Sequence, residues 1–373
     1  MFRHAISIGR IFGISIDLDY SWFLVVGLLT WILAVSYYPV EFNNWSVAEY
    51  WIMGAITAVM LFVSVLLHEL GHSVVAKRYG IPVPRITLFV FGGVSQIAEE
   101  PPSPGKEFWI AVVGPVASFA LAAFFWELEP LVSFSSPLLA LTEYLALINL
   151  VLGVFNLIPG FPLDGGRVLR AVAWRVTGKY QRATAVAAVT GRFFGFFLIF
   201  LGVWQALGGH LLNGLWIAFI GWFLESAAGS QLQHEALRSL IGDHSVVEAM
   251  KRNFPYISGD VTLQELVDKR ILSGGARYFV VGDASGPTGM LTLATIHQVP
   301  RSAWPTTTAS QVMVPVPKLA TIPPDAPLWS ALEKMGREGV NQLPVVDGKG
   351  IVGVLSREDI LQYLSVLRAF AAT

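Results

Sequence analysis

The 373-residue chain is 54% hydrophobic and only 14% charged, and it carries 12 Trp. A soluble domain has roughly a quarter charged residues, so the composition is that of a membrane protein in contact with the lipid bilayer. A formal net charge of −1 gives no footing for nucleic acid, and the absence of Cys excludes disulfides, thiolate metal sites and cysteine nucleophiles, leaving His and carboxylate as metal ligands.

In chain order, Met1 to Asp19 lacks a small-residue cleavage site after a short apolar core, so no removable signal peptide is expected and insertion would use the first span. Within it, Ile6–Leu18 alternates apolar with small or polar residues and predicts a strand. With about 20 apolar residues as the template, six spans are predicted near Tyr20–Tyr38, Tyr50–Tyr79, Phe108–Trp126, Pro137–Ile158, Ala183–Leu207 and Leu211–Ser230. Between the second and third, Ile86–Ile97 is β-branched and aromatic around Gly92-Gly93 and predicts a hairpin. Non-helical backbone at membrane depth must be paired and covered or line a wet cavity, so a small sheet is expected near the cytoplasmic face beside the metal. Its open edge could take a substrate segment as an added strand.

Lys and Arg cluster in alternate connections: Arg3 and Arg10 before the first span, Lys77, Arg78, Arg85 and Lys106 after the second, and Arg167, Arg170, Arg175, Lys179 and Arg182 after the fourth. The connections Pro39–Glu49, Glu127–Ser136 and Gly208–His210 have none, so the positive-inside rule puts both termini in the cytoplasm, most simply at the cell membrane of a prokaryote. Asp17 and Asp19 are expected to be solvated, and Tyr37, Tyr38, Trp45, Tyr50 and Trp51 to form an interfacial belt.

The second span contains His68-Glu69-Leu70-Gly71-His72. Residues four apart on a helix lie one above the other, so His68 and His72 can offer two imidazole nitrogens to one zinc, with Glu69 beside the water to be activated. Such groups rarely persist in lipid without a metal, a partner or a wet cavity. Catalytic zinc commonly takes three protein ligands, and Asp164, at the end of the fourth span in Pro162-Leu163-Asp164-Gly165-Gly166, is the matching oxygen donor.

The His-Glu-x-x-His motif in one span, with Phe155-Asn156-Leu157-Ile158-Pro159 and Pro162–Gly166 in a later one, closely resembles the site-2 protease family of intramembrane zinc metalloproteases over about residues 1–230. The resemblance implies that His68, His72 and Asp164 bind zinc, that Glu69 activates water, that Asn156 stabilises the oxyanion, and that single-span membrane proteins are the substrates. The chain departs from the family at Gly114-Pro115-Val116-Ala117-Ser118, where Ser118 stands in place of an asparagine, and Gly114 and Pro115 are read as packing and kink residues.

After a polar linker at 231–244, residues 245–373 have soluble α/β character and repeat with a period of about 64 residues. The copies, 245–300 and 310–373, resemble a tandem pair of CBS domains. That likeness implies an adenine nucleotide (ATP, ADP or AMP) held by Ser356 and Asp359 of Gly353-Val354-Leu355-Ser356-Arg357-Glu358-Asp359. The first copy has Thr295 in place of the Asp, so at most one complete ribose site is expected; a homodimer through the pair is the other role such a module can have. Two rival readings are a CBS-regulated transporter or channel and a proteolytically inactive relative that binds membrane segments.

Overall fold

A computed structural model describes residues 5–90, 92–97, 100–271, 276–283, 286–348 and 350–371; Arg3, His4 and Phe91 lie outside them. Contacts divide the chain into two units, Met1–Glu235 and Ala236–Thr373.

The first unit holds strands β1 (Ala5–Ile11), β2 (Ile14–Asp19), β3 (Arg85–Phe89) and β4 (Gly92–Ser95). Its helices are α1 (Tyr20–Glu41), α2 (Val47–Arg78), α3 (Pro104–Val132), α4 (Ser136–Asn156), α5 (Asp164–Thr177) and α6 (Tyr180–Leu207), followed by α7 (Leu211–Ile241), which runs on past the unit boundary. All but α5 are long and apolar enough to cross a bilayer, which gives six spans where the sequence predicts six. Exposed Phe193, Phe200, Trp204 and Leu215 on α6 and α7 form the apolar surface that lipid requires. Helix α5 has only 14 residues and one apolar face, buried at Ala171.

The sheet order is β1-β2-β3-β4, with β2 and β3 parallel and the outer pairs antiparallel. The predicted single strand Ile6–Leu18 is two strands. Phe12 (φ 52°) and Gly13 (φ 76°) reverse the chain in the left-handed region, a position where an aromatic gives no sequence signal. Ile14, Ile16, Ile86 and Leu88 are buried and pack with Phe62 and Leu70 of α2, which joins the sheet to the helix that carries both histidines.

Two expectations fail locally. Asp17 is buried, accepting from Ser15 Oγ at 2.8 Å and lying 3.5 Å from Arg85, while Asp19 caps α1 by accepting from Ser21. Tyr38 is fully buried rather than interfacial: its hydroxyl is 2.6 Å from Thr57 Oγ1 and its ring packs against Tyr37, Phe42 and Trp45.

In the second unit the first copy has β5 (Tyr256–Ser258), β6 (Tyr278–Asp283) and β7 (Gly286–Thr292), with β5 parallel to β6 and β6 antiparallel to β7. The second copy repeats this: Ile322 bridges Val345 in parallel, and β8 (Gln342–Asp347) pairs antiparallel with β9 (Gly350–Ser356), which leads into α8 (Arg357–Ala371). The residues at and just before the start of each copy pack into the other. Ile241 and Val246 are buried with Leu343, Val345 and Leu355 of the second copy, whereas Ala309 and Val312 pack with Leu263, Phe279 and Leu291 of the first.

Glu248 fastens this exchange. Its carboxylate accepts from the backbone and hydroxyl of Ser245, from Tyr363 Oη at 2.7 Å and from the His244 ring at 2.7 Å. Those bonds, the Ser245 backbone bond foremost, draw its pKa from 4.5 to about 2. A folded pKa below the unfolded one contributes stability above pH 4.5 that is lost as pH falls toward 2. Glu248→Gln is therefore expected to flatten the acid limb of the thermal-stability profile between those values, read by melting the chain across a pH series.

Candidate active site

Helix α2 starts on the capping box Ser46–Glu49 and carries an apolar sequence through Leu66-Leu67, with polar groups confined to one buried stripe. Thr57, Ser64, His68 and His72 recur at helical spacing on that stripe, and each is paired across a helix boundary. Thr57 meets Tyr38; Ser64 Oγ accepts from Asn149 Nδ2 of α4 at 3.0 Å; His68 Nδ1 lies 2.8 Å from Ser118 Oγ and His72 Nδ1 2.6 Å from the Ile110 carbonyl, both on α3.

A ring that donates through Nδ1 keeps the Nε2 lone pair for a ligand. Both Nε2 atoms turn toward Asp164 Oδ2, at 3.0 Å from His68 and 3.1 Å from His72, and they stand 3.2 Å from each other. Three ligands of a tetrahedral zinc with ordinary bond lengths span edges of about 3.3–3.5 Å, so the triangle fits one such ion. Two imidazoles and one carboxylate are also the donor set that zinc accepts. Among the described residues this is the one group of three His or acidic side chains whose ligand atoms converge so closely.

Gly114 explains how α3 can pass so near. A Cβ at that position would collide with His72 Nε2 and stand 2.7 Å from His68 Nε2, so the missing side chain leaves space between the rings. Glycine at this position is thus required by the two imidazoles as well as by helix packing. Ser118, at the position of the family asparagine, is the hydrogen-bond partner of His68 Nδ1.

Asp164 is delivered by the first turn of α5, where an anionic side chain suits the helix dipole. Gly165 and Gly166 have no room for a Cβ: it would strike the Leu157 and Ile158 carbonyls or the Gly160–Phe161 backbone. The preceding loop is docked in turn on α6, with Phe161 N donating to the Ala187 carbonyl at 3.2 Å.

Glu69 lies between α2 and the sheet. Ser95 Oγ on β4 donates to its Oε2 at 2.6 Å, and a Cβ on Gly93 would stand 2.5 Å from its Cγ. Edge strand β4 therefore touches the carboxylate next to the two imidazoles. Asn156 ends α4 and donates one amide N–H to the Leu152 carbonyl at 3.0 Å. Ser95, Asn149 and the Ile110 carbonyl escape a sequence reading because none belongs to a motif; the nearest signal was a polar residue on an apolar span, which Asn149 is, whereas Ser118 is readable only as a departure from the family pattern.

In the second unit, Ser356 and Asp359 are buried and bonded to each other: Asp359 Oδ2 accepts from Ser356 N at 2.9 Å and Oγ at 2.6 Å at the start of α8. Lys251 Nζ is 2.7 Å from the other carboxylate oxygen. Thr292 and Thr295 repeat the same cap in the first copy. A cavity of about 910 Å³ opens beside both caps, lined by Thr292, Thr295 and Ser356 and by the cations Arg277, Lys318, Lys334 and Arg357.

Peptidase family M50 matches residues 56–134 and 131–200, and the CBS domain matches 245–300 and 309–366. Rip3 of Mycobacterium tuberculosis is 35% identical over 98% of this chain and 94% of its own length. The zinc metalloprotease MJ0392 of Methanocaldococcus jannaschii is 28% identical over 98% of this chain and 97% of its own. Among solved structures, a site-2 protease from Methanocaldococcus jannaschii aligns at 30% identity with a TM-score of 0.41, covering 61% of this chain and 95% of that one.

Gly114→Ala is expected to cut bound zinc to well below one ion per chain with the helices intact. Metal analysis beside far-UV circular dichroism of purified protein checks both halves.

Proposed function

The chain belongs to peptidase family M50 and is a multi-pass zinc metalloprotease, and on that premise we propose that His68, His72 and Asp164 hold the zinc, that Glu69 carries the proton and that Asn156 faces the oxyanion. The observation that carries the assignment is the triangle of two imidazole nitrogens and one carboxylate oxygen with Gly114 leaving its centre free. Bound there, zinc supplies a Lewis acid for the scissile carbonyl and for water. Glu69, oriented by Ser95, takes the proton of the attacking water and returns it to the leaving amine. Asn156 has a second amide N–H beyond the one given to Leu152, and that donor meets charge developing on the carbonyl oxygen.

The substrate is a single-span membrane protein. A transmembrane helix shields its carbonyls and must unwind before attack; the free edge of β4 then receives the extended segment beside Glu69. The charge distribution supports cytoplasmic termini and a site that opens toward that side of a prokaryotic cell membrane.

For the CBS pair we propose regulation by ATP, ADP or AMP through Ser356 and Asp359. The four cations around the cavity suit phosphates, and Asp359 must exchange Lys251 for ribose hydroxyls. Binding can bias the protease only by differing between two arrangements of the chain. The pair also offers a homodimer contact.

Glu69→Gln is expected to abolish cleavage of a single-span substrate while one zinc per chain remains, since the residue carries protons and does not coordinate; zinc content far below one in the wild type, or surviving proteolysis, overturns the assignment. Titration calorimetry of the three nucleotides into the whole chain should give binding that Asp359→Ala weakens at least tenfold. Absence of binding at millimolar nucleotide would leave the pair a dimerisation module.

A further inference from the structure

One face of α3 meets both imidazoles of the metal site. Ile110 holds His72, Gly114 leaves space between the rings and Ser118 holds His68; one turn earlier on the same buried face stands Glu107. Glu107 is fully buried and accepts from Arg170 Nε of α5 at 2.6 Å, with Nη2 bonded to the same oxygen. The sequence counts Arg170 only among the cations of the connection after the fourth span, and it is 6% exposed. Its guanidinium lies 4.9 Å from the ring centre of Phe161 and 4.9 Å from that of Tyr180. Phe161 is three residues before Asp164 and Arg170 six after it, so the guanidinium grips both flanks of the carboxylate's attachment.

Stability does not account for this pair. Desolvating two charges offsets most of their attraction, and well-packed apolar replacements of a buried pair are often neutral or stabilising. Glu107 Oε2 is moreover buried with no hydrogen-bond partner among the described residues, a further cost. What an arginine fork supplies that apolar contacts do not is direction.

We propose that Glu107 and Arg170 are positioning residues: their ion pair, with the guanidinium held between Phe161 and Tyr180, sets where Asp164 stands relative to His68 and His72. The inference rests on those three residues being the zinc ligands.

The test uses the full chain in detergent and three measurements: melting of the metal-free protein, zinc affinity by chelator competition, and the visible spectrum of the cobalt-substituted protein. The double variant Glu107→Leu/Arg170→Met removes both charges at once. It should melt near the wild type, bind zinc about 10–100-fold more weakly, as loss of an outer support of a metal site typically does, and show a shifted cobalt band. Arg170→Lys, which keeps the charge and loses the fork, should weaken zinc in the same direction by a smaller factor. A folded double variant with zinc affinity within twofold of the wild type and an unchanged cobalt spectrum overturns the proposal. Should the double variant fail to fold, Arg170→Lys decides on the same two readouts, and wild-type values there overturn it equally. Asp164→Asn separates the premise: unchanged zinc affinity in that variant sinks the ligand assignment itself, whatever the ion pair does.

Discussion

Hydrolysis inside a lipid-facing bundle depends on one constraint: every polar group at depth must find its partner within the protein, because the hydrocarbon supplies none. A charged side chain at the centre of a spanning helix costs on the order of 3 kcal/mol or more on insertion scales. The chain meets that cost by setting Thr57, Ser64, His68 and His72 on one stripe of α2, each with a cross-helix partner, and by pairing Glu69 with Ser95 of the sheet. Ser118 and the Ile110 carbonyl then do double duty, since the bonds that satisfy His68 and His72 also turn both Nε2 atoms toward Asp164. Chemistry and solvation are one arrangement here.

From this follows the division of labour among the helices. Helix α2 carries both imidazoles and the carboxylate beside them, α5 carries Asp164, and α3 carries none of these yet touches both imidazoles. The sheet contributes through β4, whose Ser95 holds Glu69 and whose outer edge is free. Non-helical backbone inside a membrane is tolerated only where protein covers it or a wet site lies beside it.

Much of this was legible in the residues, and the boundary is instructive. The six spans and the His68–His72 spacing are local patterns, exposed by the length of the apolar runs and by the helical period respectively. Asp164 is 96 positions beyond His68 and became readable only through its own motif. Ser95, Ile110 and the Glu107–Arg170 pair are invisible because their meaning lies in which segments become neighbours, and neighbourhood is not a period. Arg170 shows the same limit in another form, for charge counting cannot tell a loop cation from one sandwiched between two rings. The β1–β2 turn was hidden because Phe12 adopts a left-handed conformation that its residue type does not advertise.

The exchange of segments in the CBS pair bears on how the chain can be made. The core of the second copy needs Ile241 and Val246, synthesised about a hundred residues before Leu343 and Leu355 that cover them. Contacts so distant along the chain close slowly, because loop entropy is lost before burial compensates it. Until the last strands leave the ribosome, the apolar residues around Ile241 stay uncovered. The order of translation thus makes the C-terminal hairpin and the helix α8 that follows it the closing step of this unit, and a chain halted before residue 343 would leave that surface open to quality control.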